Sequence, residues 1–279
     1  MRIFVAGASG VLGRALIPLA LAEGHEVIGM TRSDRGADAV RALGATPVIA
    51  DAFDADLVAS AVASSSPDAI IDLLTDLATG DSGDNAHLRI HGTRHLVDAA
   101  REAGVETMVA ESISWIHPSG SDPADEGTPL DLDAAEPRRT TVRAVAALER
   151  TVAEIAHAVV LRLGQLYGEG TWYARDGRYA DAARAGSLPA TETVVSFVHV
   201  DDAARAALDA LRWPAGVWHI VDDEPAAGTA WVPVFAEAVG APRPERSESG
   251  DIGRPVSNGR ARANGLMLRY PSWREGFLA

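Results

Sequence analysis

The chain has 279 residues, 47% of them hydrophobic, with a formal charge of -14 and no cysteine. That length and apolar content suit one large domain or a domain with a smaller lobe, and exclude wholesale disorder. The acidity argues against nucleic acid and membrane partners, and the missing thiols remove disulfides, thiolate metal sites and cysteine nucleophiles. All 25 basic residues are arginine. A guanidinium stays protonated, so no side-chain amine is available as a tunable base or Schiff-base former. There is no leader pattern and no apolar run of membrane-spanning length, so the expectation is a cytoplasmic protein.

Strand and helix signals alternate along the first two thirds. Residues 3–6 form a short buried strand, and 11–21 an apolar helix closed by Gly24. Further strands are expected at 25–31, 45–51, 69–75, 106–113 and 158–166. Helices are expected at 35–43, 54–63, 85–103 and 138–156. Alternation with short connections implies parallel strands and crossover helices, an α/β doubly wound sheet of Rossmann type. After about Tyr167 the pattern mixes short strands (194–200, 217–221) with helices (179–184, 201–211, 229–239). The expected division is therefore a dinucleotide-binding domain over 1–166 and a smaller, interleaved substrate lobe over 167–279. The polar stretch 117–137 lacks periodicity and is a candidate lid. A surface loop is expected at 242–258.

The most informative stretch joins the first strand to the first helix. Gly7, Gly10 and Gly13 recur at three-residue spacing between them. Glycines there let the backbone turn tightly and let a pyrophosphate approach, and the helix N-terminus offers unpaired N–H groups. Ser9 adds a hydroxyl, and Val11 and Leu12 open the helix. The end of the second strand, Thr31-Arg32-Ser33, suits a 2′-phosphate and favours NADP over NAD. Asp51 and Ala52 close the third strand beside the expected adenine, and Leu74 and Thr75 close the fourth.

With these residues placed, the chain resembles the short-chain dehydrogenase/reductase superfamily, in the extended branch that contains nucleotide-sugar epimerases and dehydratases. The resemblance rests on the Gly7 to Gly13 turn, Gly92-Thr93, Leu161-Arg162, Tyr167-Gly168-Glu169-Gly170, the run from Phe197 to Asp202, and the ending 258–277. It implies a nicotinamide cofactor and a catalytic tyrosine with a lysine four residues later. Aligning on Glu149 puts Thr141 in the tyrosine position and Val145 in the lysine position, and no lysine exists anywhere in the chain. The resemblance is thus to atypical members that lack the dyad. It also implies a homodimer through helices 85–103 and 138–156, the second of which carries Val142, Val145, Leu148, Val152 and Ile155.

Four residues are candidates for the missing proton donor. Ser112 and Ser114 end the fifth strand, His117 opens the long loop, and Tyr173 follows Trp172. Glu111 could act as a base or pair with an arginine. Trp115, Trp172 and Tyr173 suggest aromatic pocket walls and an aromatic or apolar carbonyl or hydroxyl metabolite. The eight histidines show no metal-ligand spacing. Two readings stand: an NADP-dependent oxidoreductase or epimerase-like enzyme with a non-standard donor, or a non-catalytic NAD(P)-binding sensor.

Overall fold

A computed structural model describes residues 1–76, 82–248 and 251–278 of the chain. It opens as β1 (Arg2–Ala6), α1 (Val11–Ala22), β2 (Glu26–Thr31), α2 (Asp34–Ala42), β3 (Thr46–Ile49), α3 (Ala55–Ser65) and β4 (Ala69–Asp72). A helical stretch follows, made of α4 (Ser82–His87), a π turn (Leu88–Gly92) and α5 (Thr93–Glu102). Then come β5 (Thr107–Ile113), α6 (Arg138–Val152), β6 (His157–Leu163), β7 (Gln165–Tyr167) and α7 (Arg178–Arg184). The chain closes with β8 (Val194–Val195), β9 (Phe197–His199), α8 (Val200–Asp209), β10 (Gly216–Ile220), β11 (Ala226–Ala227), α9 (Gly228–Ala238), α10 (Gly259–Ala263) and α11 (Trp273–Gly276).

The main sheet has seven strands in the order β10-β6-β5-β4-β1-β2-β3. Strand β1 pairs in parallel with both β2 and β4, and β2–β3 and β4–β5 are parallel too. A strand with parallel partners on both sides and helices on both faces has no solvated face, which is why Ile3 to Ala6 are all apolar and buried. The helices begin where the sequence supplies caps. Ser33 accepts from the Gly36 amide at the start of α2, and Asp54 accepts from the Leu57 amide at the start of α3.

The chain divides into two compact units. The first comprises residues 1–112, 131–161 and 204–217, and the second 113–130, 162–203 and 218–279. The first unit's core joins Phe4, Met30 and Ile70 to Leu96, Leu148 and Val152. Helix α6 spends its apolar residues there. Val142, Val145, Leu148, Val152 and Ile155 are all buried within the chain.

Two expectations change. The single helix expected over 85–103 starts earlier and opens into a π turn. Gly92 lets that turn close, since a Cβ there would lie 2.8 Å from the Leu88 side chain. Residues 117–130 of the stretch expected as a lid belong to the second unit and are tied down there. The Ala124 amide donates to the Pro255 carbonyl, the Ser257 amide to the Ala124 carbonyl, and the Gly120 amide to the Gly253 carbonyl. The same bonds anchor part of the expected 242–258 loop, whose residues 249–250 lie outside the described residues.

The second unit is built on aromatic rings: Tyr173 stacks on Tyr179 and meets Phe197, Trp231 and Phe235 edge-on. Its C-terminal segment is held by two carboxylates. Asp202 accepts from the Arg269 and Tyr270 amides, and Asp222 from the Trp273 and Glu224 amides. Among the described residues no helix is long and apolar enough to cross a membrane.

Candidate functional site

The glycine turn has the shape the spacing demands. Gly7 sits at φ +79°, and a Cβ there would lie 2.5 Å from the Leu73 carbonyl oxygen. The Gly10 amide closes the turn on the Gly7 carbonyl at 2.9 Å. Gly13 packs so tightly on β1's continuation that a Cβ would fall 2.4 Å from the Ala8 oxygen. Gly10 caps α1 without a side-chain hydrogen bond, so the Val11 and Leu12 end of that helix keeps its amides free of side-chain caps. An open helix N-terminus behind a glycine turn is an anion cradle.

The other expected nucleotide residues are partly engaged with one another. The Ser9 and Thr31 hydroxyls lie 3.0 Å apart. Gly36 approaches them: a Cβ there would sit 2.0 Å from Thr31 Oγ1 and 3.1 Å from Ser9 Oγ. This fourth close-contact glycine was not read from the sequence, because it lies inside α2 and outside the three-residue spacing. Ser33 uses its hydroxyl as the α2 cap. Arg32 is largely exposed and reaches Asp76 at 3.4 Å. Asp51 accepts from the Phe53 amide, and the Ala52 carbonyl lies 2.9 Å from His95 Nδ1. The Leu74 amide donates to Asp72 Oδ1, and Thr75 follows it half-buried.

The four candidate donors fare differently. Ser112 lies in the first unit, fully buried, and donates to Glu149 on α6 at 2.9 Å. Its hydroxyl ties β5 to α6. Ser114, His117 and Tyr173 belong to the second unit. Ser114 is buried, and its amide donates to the Leu163 carbonyl. His117 is buried with both ring nitrogens engaged, Nδ1 3.1 Å from the Pro129 carbonyl and Nε2 3.3 Å from His219 Nε2. A carbonyl only accepts, so Nδ1 carries the hydrogen. The two Nε2 atoms share one hydrogen bond between the rings. Burial holds His219 neutral, its pKa driven down to about 3. Tyr173 lies in the aromatic core, where desolvation pushes its phenol well above the ordinary value. The expected aromatic wall also divides: Trp172 lies under the Arg178 guanidinium at 4.5 Å, while Trp115 is 39% exposed.

The first unit holds a charge cluster that spacing alone does not reveal. Asn85, Arg89 and Thr93 recur every fourth residue across the π turn, and all three are buried. They face the carboxyl end of β4. Asn85 Oδ1 accepts from the Asp76 amide, and the Thr93 hydroxyl donates to Asp72 Oδ2 at 3.1 Å. Arg89 is 4% exposed and is attracted by both Glu111 and Asp72. Burial raises the Asp72 carboxyl to about 6, against the hydrogen bonds from the Leu74 amide and Thr93 and the attraction of Arg89. Burial likewise raises Glu111 to about 7, with Arg89 pulling down and Asp72 pushing up. Glu111 keeps some accessible surface and is still deeply desolvated, so it is recessed. The available signals were an aspartate ending the apolar run Ala69-Ile70-Ile71 and an arginine on a helix's buried stripe.

The chain is similar to known proteins over its whole length. A model of the NAD dependent epimerase/dehydratase family matches residues 3–221. A 3-diazoavenalumate denitrifying reductase of Streptomyces sp is 42% identical, the match covering 99% of each chain. A 2-alkyl-3-oxoalkanoate reductase of Stenotrophomonas maltophilia is 28% identical over 89% of this chain and 79% of that one. The fold matches that of Thermus thermophilus UDP-glucose 4-epimerase in complex with NAD, at TM-score 0.81 and 23% identity over 100% of this chain and 97% of that one. It also matches a Streptomyces venezuelae dTDP-glucose 4,6-dehydratase with NAD bound, at TM-score 0.82 and 21% identity over 100% and 95%. With the seven-stranded sheet and its glycine turn, these matches place the chain in the NAD-dependent epimerase/dehydratase family.

Proposed function

We propose that this protein is an NAD(P)H-dependent reductase that removes dinitrogen from a small diazo compound. The observation that carries the reading is the 42% identity to a denitrifying reductase across both full lengths. The absence of lysine supports it. Carbonyl reduction and epimerisation develop charge on a substrate oxygen and use a tuned phenol to pass the proton. Here no lysine exists to tune one, and Thr141 and Val145, in the two dyad positions, are both buried on α6. Reductive loss of dinitrogen develops no alkoxide, and the leaving gas draws the step forward.

The glycine turn and the α1 N-terminus would hold the cofactor's pyrophosphate, and Arg32 would meet a 2′-phosphate and so favour NADP. When bound, the cofactor supplies the hydride. The overall reaction then balances as a diazo compound plus hydride plus one proton giving the reduced product and dinitrogen. Self-association through α5 and α6 would have to use their charged rows, such as Arg94, Arg101 and Glu154, because the apolar ones are buried.

The test follows NADPH absorbance and gas evolution with an aryl diazo compound and with a panel of aromatic and aliphatic carbonyls. NADPH consumption matched by dinitrogen release supports the reading. Turnover of carbonyls alone replaces it with a ketoreductase. Cofactor binding without turnover on either panel assigns the chain to a sensor role. An Arg32→Ala variant should lose about tenfold in NADPH affinity, the scale of one charged phosphate contact, with little change for NADH.

A further inference from the structure

The glycine turn is flanked by two strands, and one side-chain pair in the first unit joins the flanks. The turn follows β1, which lies between β2 and β4 in the sheet. It touches both neighbours. Ser9 meets Thr31 at the end of β2, their hydroxyls 3.0 Å apart, and Gly7 crowds the Leu73 carbonyl just past β4. Strands two places apart in a sheet are about 10 Å from each other. Arg32 directly follows Thr31, and its Nη1 nevertheless reaches Asp76 Oδ2, four residues beyond β4, at 3.4 Å. The ion pair therefore joins the chain on one side of the turn to the chain on the other.

A buried group holds Asp76 in place for this. The Asp76 amide donates to Asn85 Oδ1 at 2.9 Å, and Asn85, on α4, is 5% exposed. Ligands of open α/β sheets bind outside the carboxyl ends of the strands, the edge from which both partners project. A guanidinium has five N–H donors and a single charge. A carboxylate and a phosphate call on that same charge, whereas a ribose hydroxyl does not.

We infer that Asp76 is a specificity-determining residue that acts through Arg32: its carboxylate competes with the 2′-phosphate of NADP for the guanidinium, and so narrows the preference for NADP over NAD. The inference rests on the cofactor reading of Arg32 above. Binding NADP exchanges one anionic partner of Arg32 for another, so loss of the old contact offsets part of the new one. NAD brings no anion to that point and leaves the pair as it is. Exposure bounds the size of the effect. The Arg32 side chain is 68% exposed and that of Asp76 23%, and a pair so exposed shifts an equilibrium by about two- to fivefold.

Fluorescence titration of the full chain with NADPH and with NADH tests this apart from turnover. Asp76→Asn should bind NADPH about threefold tighter and NADH as wild type does. Asp76→Ala should behave in the same way, while Asp76→Glu, which keeps the charge, should stay near wild type. In an Arg32→Ala background the gain from Asp76→Asn should vanish. Equal tightening for both cofactors, a gain in Asp76→Glu as large as in Asp76→Asn, or a gain that survives in Arg32→Ala overturns the inference. So does an unchanged NADPH affinity in Asp76→Asn when Arg32→Ala weakens it. An Arg32→Ala variant that binds NADPH as tightly as wild type overturns the cofactor reading of Arg32, and the inference falls with it.

Discussion

Both units bury carboxylates, and they employ them differently. In the second unit Asp222 accepts from the Trp273 and Glu224 amides, and burial with the nearby Glu224 and Asp223 raises it to about 8. Asp202 likewise takes the Arg269 and Tyr270 amides. These acids serve as clasps for the chain's last segment. In the first unit Asp72 takes one amide and one hydroxyl, and burial raises it to about 6 against those bonds and the attraction of Arg89. Backbone amides alone fasten one carboxylate, while an amide, a hydroxyl and a buried cation act on the other.

The strongest challenge to the clasp is Trp273→Ala. Trp273 is fully buried, packs against Phe277 and donates from its indole to the Glu224 carbonyl. Its loss should cost about 3–5 kcal/mol in chemical denaturation. On the other side, Arg89→Met removes the buried cation that attracts Asp72 and Glu111. A cost of about 3 kcal/mol is expected at pH 8. The cost should shrink by pH 5, because both acids then take up protons; an equal cost at both values would refute the shared charge. Gly7→Val puts a branched side chain at φ +79° against the Leu73 oxygen, and should weaken NADPH binding about 100-fold in a fluorescence titration while the aromatic core stays folded.

Smaller effects sharpen the contrast. Asp222 has a raised folded pKa, so its contribution to stability is complete below the ordinary carboxylate range and is lost as pH rises towards about 8. Against Asp222→Asn, wild type should lose relative stability across that interval, by at most about 1.4 kcal/mol per pH unit. A pH-independent difference would show the carboxyl to be unperturbed. Ser112→Ala removes one buried hydrogen bond to Glu149. It should cost about 1 kcal/mol in chemical denaturation, and an unchanged stability would show that the bond to Glu149 contributes nothing net.

The nucleotide turn was legible because its constraints are local. Gly10 and Gly13 answer to the backbone within a few residues, Gly7 supplies the positive φ of the turn, and the strand before them and helix after them are set by periodicity. Gly36 was hidden because its crowding comes from the Thr31 and Ser9 side chains, which the folding of α2 back over the end of β2 brings to it. The surroundings of three candidate donors were hidden for a related reason. Spacing put Ser112, His117 and Tyr173 at strand ends and loop starts, while their hydrogen bonds and burial are fixed by Glu149, Pro129, His219 and the ring cluster.

The sequence by itself determined the alternation of strands and helices, the glycine cradle and the absence of any lysine-based chemistry, since each depends on residue type and near neighbours. Only the tertiary structure decided which polar groups are buried together. Asp72, Arg89 and Glu111 are separated by up to 39 positions in the chain. A π turn and two adjacent parallel strands bring them into one unit, and burial there raises both carboxyls.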